Sequence, residues 1–68
     1  MNSALLKGKM KEREMTQKDV AEKVGLCLSR FNAKLNSTHG AEFSLGEIRA
    51  LKNTLSLTPE LVDLIFFN

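Results

Sequence analysis

The sequence has one cysteine, one proline, one histidine, no tryptophan and no tyrosine. One cysteine forbids an internal disulfide, and one cysteine with one histidine makes no credible metal site. No apolar run approaches the roughly 20 residues of a membrane span, and no signal peptide is visible. The chain therefore reads as cytosolic, with no membrane partner. Also missing are the arrangements that carry catalysis. There is no nucleophile–base pair, no pair of carboxylates in an apolar setting, no glycine loop to cradle a phosphate and no cluster of metal ligands. The sequence predicts neither an enzyme nor a cofactor nor a small-molecule substrate. It holds no internal repeat and no low-complexity segment.

What is present fits one domain, 1–68, with a small core. Chains of this size bury roughly 60% of the surface that their unfolded form exposes. With disulfides and metals excluded, oligomerisation is the support left to so small a domain. The formal net charge is only +2, but it is unevenly placed. Residues 1–34 hold eight Lys and Arg against four Asp and Glu, a net +4, and residues 35–68 hold two against four, a net −2. A basic half of this kind suits nucleic acid. The plainer alternative is a solvated charged face.

Residues 16–36 organise the rest. Thr16 is placed to cap a helix by accepting from the N–H of Asp19, and Asp19 is a shorter version of the Glu that completes a capping box. Val20, Ala21 and Val24 recur at helical spacing and mark the buried face. Ala21 is small enough for a second helix to cross closely. Gly25 stops the first helix where a left-handed residue carries no Cβ clash, and Leu26 plugs the corner. A second helix then buries Phe31 and Leu35, with Ser29, Arg30, Asn32, Ala33 and Lys34 on its outer surface. Such a face suits base edges and phosphates.

On either side the pattern is also helical. Residues 2–14 predict a first helix, capped by Asn2 or Ser3, with Leu5, Leu6 and Met10 as its stripe. Gly8 inside it costs about 1 kcal/mol against alanine. Met15 precedes the Thr16 cap and is placed to staple onto Val20. Residues 37–43 are the least regular stretch. Ser44 and Glu47 form a capping box for a fourth helix, with Ile48, Leu51 and Leu55 buried and Glu47, Arg49 and Lys52 facing water. Leu57 turns back into the core. Thr58-Pro59 is an N-cap followed by proline at the first helical position, and starts a short helix at about 59–66. That helix is apolar nearly all round, so some of Val62, Phe66 and Phe67 should stay uncovered in a monomer. Val62, Ile65, Phe66 and Phe67 are the candidate homodimer interface. The competing expectation is that Phe66 and Phe67 fold back over the first helix and finish a thin core.

Thr16-Gln17, Val20-Ala21, Val24-Gly25-Leu26, Phe31 and Asn36 resemble the helix-turn-helix of the lambda-repressor-like (Cro and CI type) DNA-binding family. Phe43-Ser44-x-x-Glu47-Ile48, Leu55-x-Leu57-Thr58-Pro59-Glu60 and Ile65-Phe66-Phe67 look like small regulators of temperate bacteriophages and related mobile elements. The two matches together cover nearly the whole chain. The resemblance implies an all-α fold, a compact bundle of five short helices with a central helix-turn-helix at about 16–36. It also implies a Cro-like repressor in the cytoplasm of a bacterial host. Many family members pair an Arg in the first helix with a Glu near the end of the reading helix. The aligned residues here are Met10 and Leu35, an apolar pair, and such a replacement need not destabilise.

By that resemblance Cys27, Leu28, Ser29, Asn32 and Ala33 are the candidate base-reading residues. Gln17, Arg30, Lys34, Asn36, Thr38 and His39 are the candidate phosphate contacts. Leu28 departs from the polar residue common in the family; it reads thymine methyls, marks a member that contacts few bases directly, or packs against the loop. Cys27 stands where a Ser or Thr often caps the reading helix, and a thiol caps poorly. The implied partner is a double-stranded, pseudo-palindromic DNA operator bound by a homodimer. The alternative is a protein-binding modulator, similar to an antirepressor, docking on a partner repressor through Leu28 and the apolar tail. A further alternative is the amino-terminal domain of a longer repressor, against which the ending at Phe67-Asn68, without a linker, weighs.

Overall fold

The computed structural model describes residues 1–36 and 41–67. Ser37, Thr38, His39 and Gly40 lie outside the described residues, and so do the phosphate contacts expected at Thr38 and His39. Five short helices follow one another: α1 (Ser3–Glu12), α2 (Gln17–Val24), α3 (Leu28–Leu35), α4 (Leu45–Leu55) and α5 (Pro59–Val62). The last runs on into a wider π turn, Asp63–Phe67. No strand occurs among the described residues, so the fold is an all-α bundle. α2 is the central element, packed against both α3 and α4, while α1 meets the π turn.

The helix starts come from local chemistry. Asn2 Oδ1 accepts from the Leu5 N–H at 3.0 Å and caps α1. Thr16 Oγ1 accepts from the Asp19 N–H at 3.1 Å, and the Thr16 N–H donates to Asp19 Oδ2 at 3.0 Å. The backbone N–H and hydroxyl of Thr16 hold the Asp19 carboxyl below its ordinary range. Ser44 and Glu47 repeat the reciprocal pair at α4, and Thr58 Oγ1 caps α5 ahead of Pro59. Each of these three caps has an apolar residue before it and another five further on: Met15 and Val20, Phe43 and Ile48, Leu57 and Val62. This is the spacing of a hydrophobic staple.

Three of the helix ends share one device. α1, α2 and α4 are each followed by a residue of positive φ: Glu14 (56°), Gly25 (81°) and Ser56 (53°). The next N–H reaches back five residues: Met15 to the Met10 carbonyl at 3.0 Å, Leu26 to Ala21 at 2.9 Å, Leu57 to Lys52 at 2.9 Å. That bond satisfies a carbonyl which the helix end would leave unpaired. It also turns the chain so that an apolar residue follows. Met15 and Leu26 pack on the core, and Leu57 lies inside it.

The core gathers Leu6 and Met10 from α1, Val20 and Ala21 from α2, and Phe31 and Leu35 from α3. Leu51 and Leu55 join from α4, with Phe43, Leu57 and Ile65 from the connections and the π turn. The apolar pair Met10 and Leu35 is thus interior. Burying a phenylalanine such as Phe31 contributes about 1.5–3 kcal/mol. Phe31, Phe43 and Phe66 form a chain of tilted rings with centroids 5.6 and 6.1 Å apart. The chain ends close on each other where the Asn2 N–H donates to the Ile65 carbonyl at 2.7 Å. The accessible surface, 4379 Å², matches the about 4300 Å² of a folded monomer of this mass.

Gly8 and Gly25 separate two roles of glycine. A Cβ at either would meet nothing within 4 Å, but only Gly25 has a positive φ. Gly8→Ala should raise stability by about 1 kcal/mol, the gain of alanine in a helix interior. Gly25→Ala should lower it by about 1 kcal/mol or more, the penalty of a left-handed Cβ. Urea denaturation of the two variants checks the opposite signs.

Candidate functional site

The stretch singled out in the sequence forms two eight-residue helices, α2 and α3, joined through Gly25, Leu26 and Cys27. Cys27 stands at the N-cap of α3 without a side-chain hydrogen bond, so this helix start has no side-chain cap. In α3 Phe31 and Leu35 are fully buried, while the first turn, Leu28 (43% exposed), Ser29 and Arg30, is exposed. Asn32 and Ala33, one turn later, are half-buried, less open than the sequence implied.

Gln17 is half-buried at the first position of α2. It shares the wall of a shallow groove of about 380 Å³ with Lys7, Lys11, Glu14 and Thr16. Lys7 also donates to Asn36 Oδ1 at 3.3 Å, linking α1 to the end of α3. The placement of Lys7 and Lys11 beside Gln17 was missed in the sequence, because it depends on how α1 crosses α2. Lys9 and Arg13 bond to other groups of the protein. Lys9 pairs with Glu12 at 3.1 Å, and Arg13 Nε donates to the Leu55 carbonyl at 3.1 Å, holding the end of α4.

Lys34 does not remain on the open outer surface of α3, and Glu47 does not simply face water. Lys34 Nζ donates to Glu47 Oε1 at 2.6 Å and to Oε2 at 2.9 Å. The two side chains are only 16% and 18% exposed. The Ser44 N–H also donates to Glu47 Oε1, at 2.9 Å. Burial works against the charge of Glu47 and is the largest single influence on it. The Lys34 ammonium and the Ser44 N–H together outweigh that burial and hold the carboxyl below its ordinary range.

The apolar tail is divided by the π turn. Ile65 is fully buried in the monomer and offers no surface to a second copy, which corrects its place in the expected interface. Val62 and Phe66 are half-buried, Phe66 edge-on to Phe43. Phe67 is 59% exposed, and Leu64, not singled out in the sequence, is 45% exposed. Phe67 borders a second groove of about 470 Å³, beside the start of α4, with Met1, Phe43, Leu45, Ile48 and Phe66 as the rest of its apolar lining. Leu45 is 74% exposed. It sits at the first residue of α4, where no preceding turn covers it.

Among the described residues no three His, Cys, Asp or Glu side chains come together as a metal would need. None of the described helices is long and apolar enough to cross a membrane. Comparison with protein-family models, with curated proteins and with solved structures found no match.

The lowered carboxyl of Glu47 fixes a sign. Its interactions add stability above the ordinary glutamate range, and that stability is lost as the pH falls through its folded-state value. Thermal melts between pH 7 and pH 3 should show Glu47→Gln about 1 kcal/mol less stable at pH 7. The difference from wild type should shrink toward pH 3.

Proposed function

We propose that the protein is a sequence-specific DNA-binding regulator of the helix-turn-helix kind, in which α2 braces and α3 reads. The observation that carries this reading is the exposed amino-terminal turn of α3, Leu28, Ser29 and Arg30, on a helix anchored by buried Phe31 and Leu35. A helix fixed by one face can lay the other in a major groove, where its amino-terminal residues go deepest. On this reading Ser29 and Asn32 hydrogen-bond base edges, and Leu28 and Ala33 meet thymine methyls. Arg30 forks onto guanine or a phosphate. Cys27 lies at the groove-facing end, and Gln17 and Asn36 flank the helix toward the backbone.

One such module covers a half-site. Two copies related by a twofold axis would read half-sites about 34 Å apart on one side of the duplex. The surface left for that pairing is Val62, Phe66 and Phe67, joined by Leu64 in place of Ile65. The expected outcome is repression, by exclusion of polymerase from a promoter. As a DNA binder the protein would carry out no catalysis and need no cofactor.

A second reading has its own observation: the groove rimmed by exposed Leu45 and Phe67. On that reading the protein is a modulator that docks on a partner repressor.

The test is binding of the purified protein to DNA from around its own gene, in the presence of random competitor. Wild type should select a particular duplex, and affinity should fall steeply between about 50 and 200 mM salt. Arg30→Ala with Asn32→Ala should weaken that selection at least about tenfold, from the loss of one or two base contacts. Equal, weak binding to every duplex would favour the docking reading instead.

A further inference from the structure

We propose that Glu47 is a positioning residue for α3: it draws the Lys34 ammonium into a two-pronged clasp between α3 and α4 and so withholds it from DNA phosphate. The proposal rests on the DNA-binding reading above. Lys34 belongs to the last turn of α3 and Glu47 to the first turn of α4, 13 residues apart. Both carboxylate oxygens are used, at 2.6 and 2.9 Å. Oε1 also takes the Ser44 N–H at 2.9 Å, so the carboxylate is already held by the cap of α4 when it receives the lysine.

An exposed lysine–carboxylate pair opens readily, because solvent replaces each partner and ordering two long side chains costs entropy. This pair is different on both counts. Its side chains are 16% and 18% exposed, and the carboxylate is fixed by a second donor. A phosphate recruiting Lys34 would leave the Glu47 charge covered with only the Ser44 N–H for a partner, which is costly. The clasp also spans the whole connection between α3 and α4, so it sets where the end of α3 lies against the core. Arg30 is then the cation that α3 offers outward, and Lys34 is part of the frame.

The salt dependence of duplex binding tests this, since each phosphate contact adds about 0.9 to the slope of log affinity against log salt. Lys34→Met keeps much of the apolar stem and should leave the slope unchanged. Glu47→Gln keeps a residue type that completes the α4 cap. It frees Lys34, and should steepen the slope by about 0.9. In the double variant the slope should return to that of wild type. In parallel thermal melts the double variant should fall no further than the worse single variant, as partners in one interaction do. Additive melts, or a slope lowered by about 0.9 in Lys34→Met with Glu47 present, would overturn the clasp and leave the DNA reading standing. A wild type that binds no duplex would overturn the DNA reading, and with it this role for Glu47.

Discussion

A helix leaves its first four N–H groups and its last four carbonyls without partners inside the helix. In α2 and α3, each eight residues long, those groups are as numerous as the residues themselves. A bundle of such helices depends on how its ends are satisfied before it depends on how its faces pack. Here side-chain oxygens of Asn2, Thr16, Ser44 and Thr58 start four of the five helices. A left-handed residue with a backward-reaching N–H closes three of them. Each closure also brings an apolar residue against the core, Leu57 into it and Met15 and Leu26 onto it, so one event satisfies a carbonyl and adds to the packing. α3 is the exception at its start, with a thiol at the N-cap. Its stability rests on Phe31, Leu35 and the Lys34 clasp.

The same economy governs charge. Of the eight basic residues in 1–34, four bond to other groups of the protein. Lys9 is paired within α1, Arg13 holds a carbonyl at the end of α4, Lys7 is linked to Asn36, and Lys34 is bound by Glu47. A count of basic residues therefore overstates the cations available to a polyanion. The outward side of α3 is mainly polar and apolar, with Arg30 as its cation. On the DNA-binding reading, selection would rest on base edges and methyl groups more than on charge. Exposed Leu28 fits that balance.

The helices, three of the caps, the turn at Gly25 and most of the core could be read from the sequence, because the signals are local. Thr16, Ser44 and Thr58 each find their backbone partner three residues away, and Pro59 and Gly25 fix backbone angles by themselves. The left-handed turns at Glu14 and Ser56 were hidden, since neither residue favours that conformation and packing of Met15 and Leu57 imposes it. The face of α3 was legible through the spacing of Phe31 and Leu35. Its margin was not: Asn32 and Ala33 are half-covered by neighbours that periodicity does not name.

By itself the sequence determined where helices begin, which stripes are apolar and, through its single cysteine, that no internal disulfide would hold them together. Those properties follow from hydrogen bonds and torsions within a few residues. Only the tertiary structure decided that Lys34 meets Glu47, that Lys7 and Lys11 gather beside Gln17, and that Ile65 goes inside while Leu64 and Phe67 stay out. From Leu64 to Phe67 the tail is apolar at every position, so no period could choose its inner face. The choice is made by the π turn and by the bond from the Asn2 N–H to the Ile65 carbonyl, which joins residues at opposite ends of the chain.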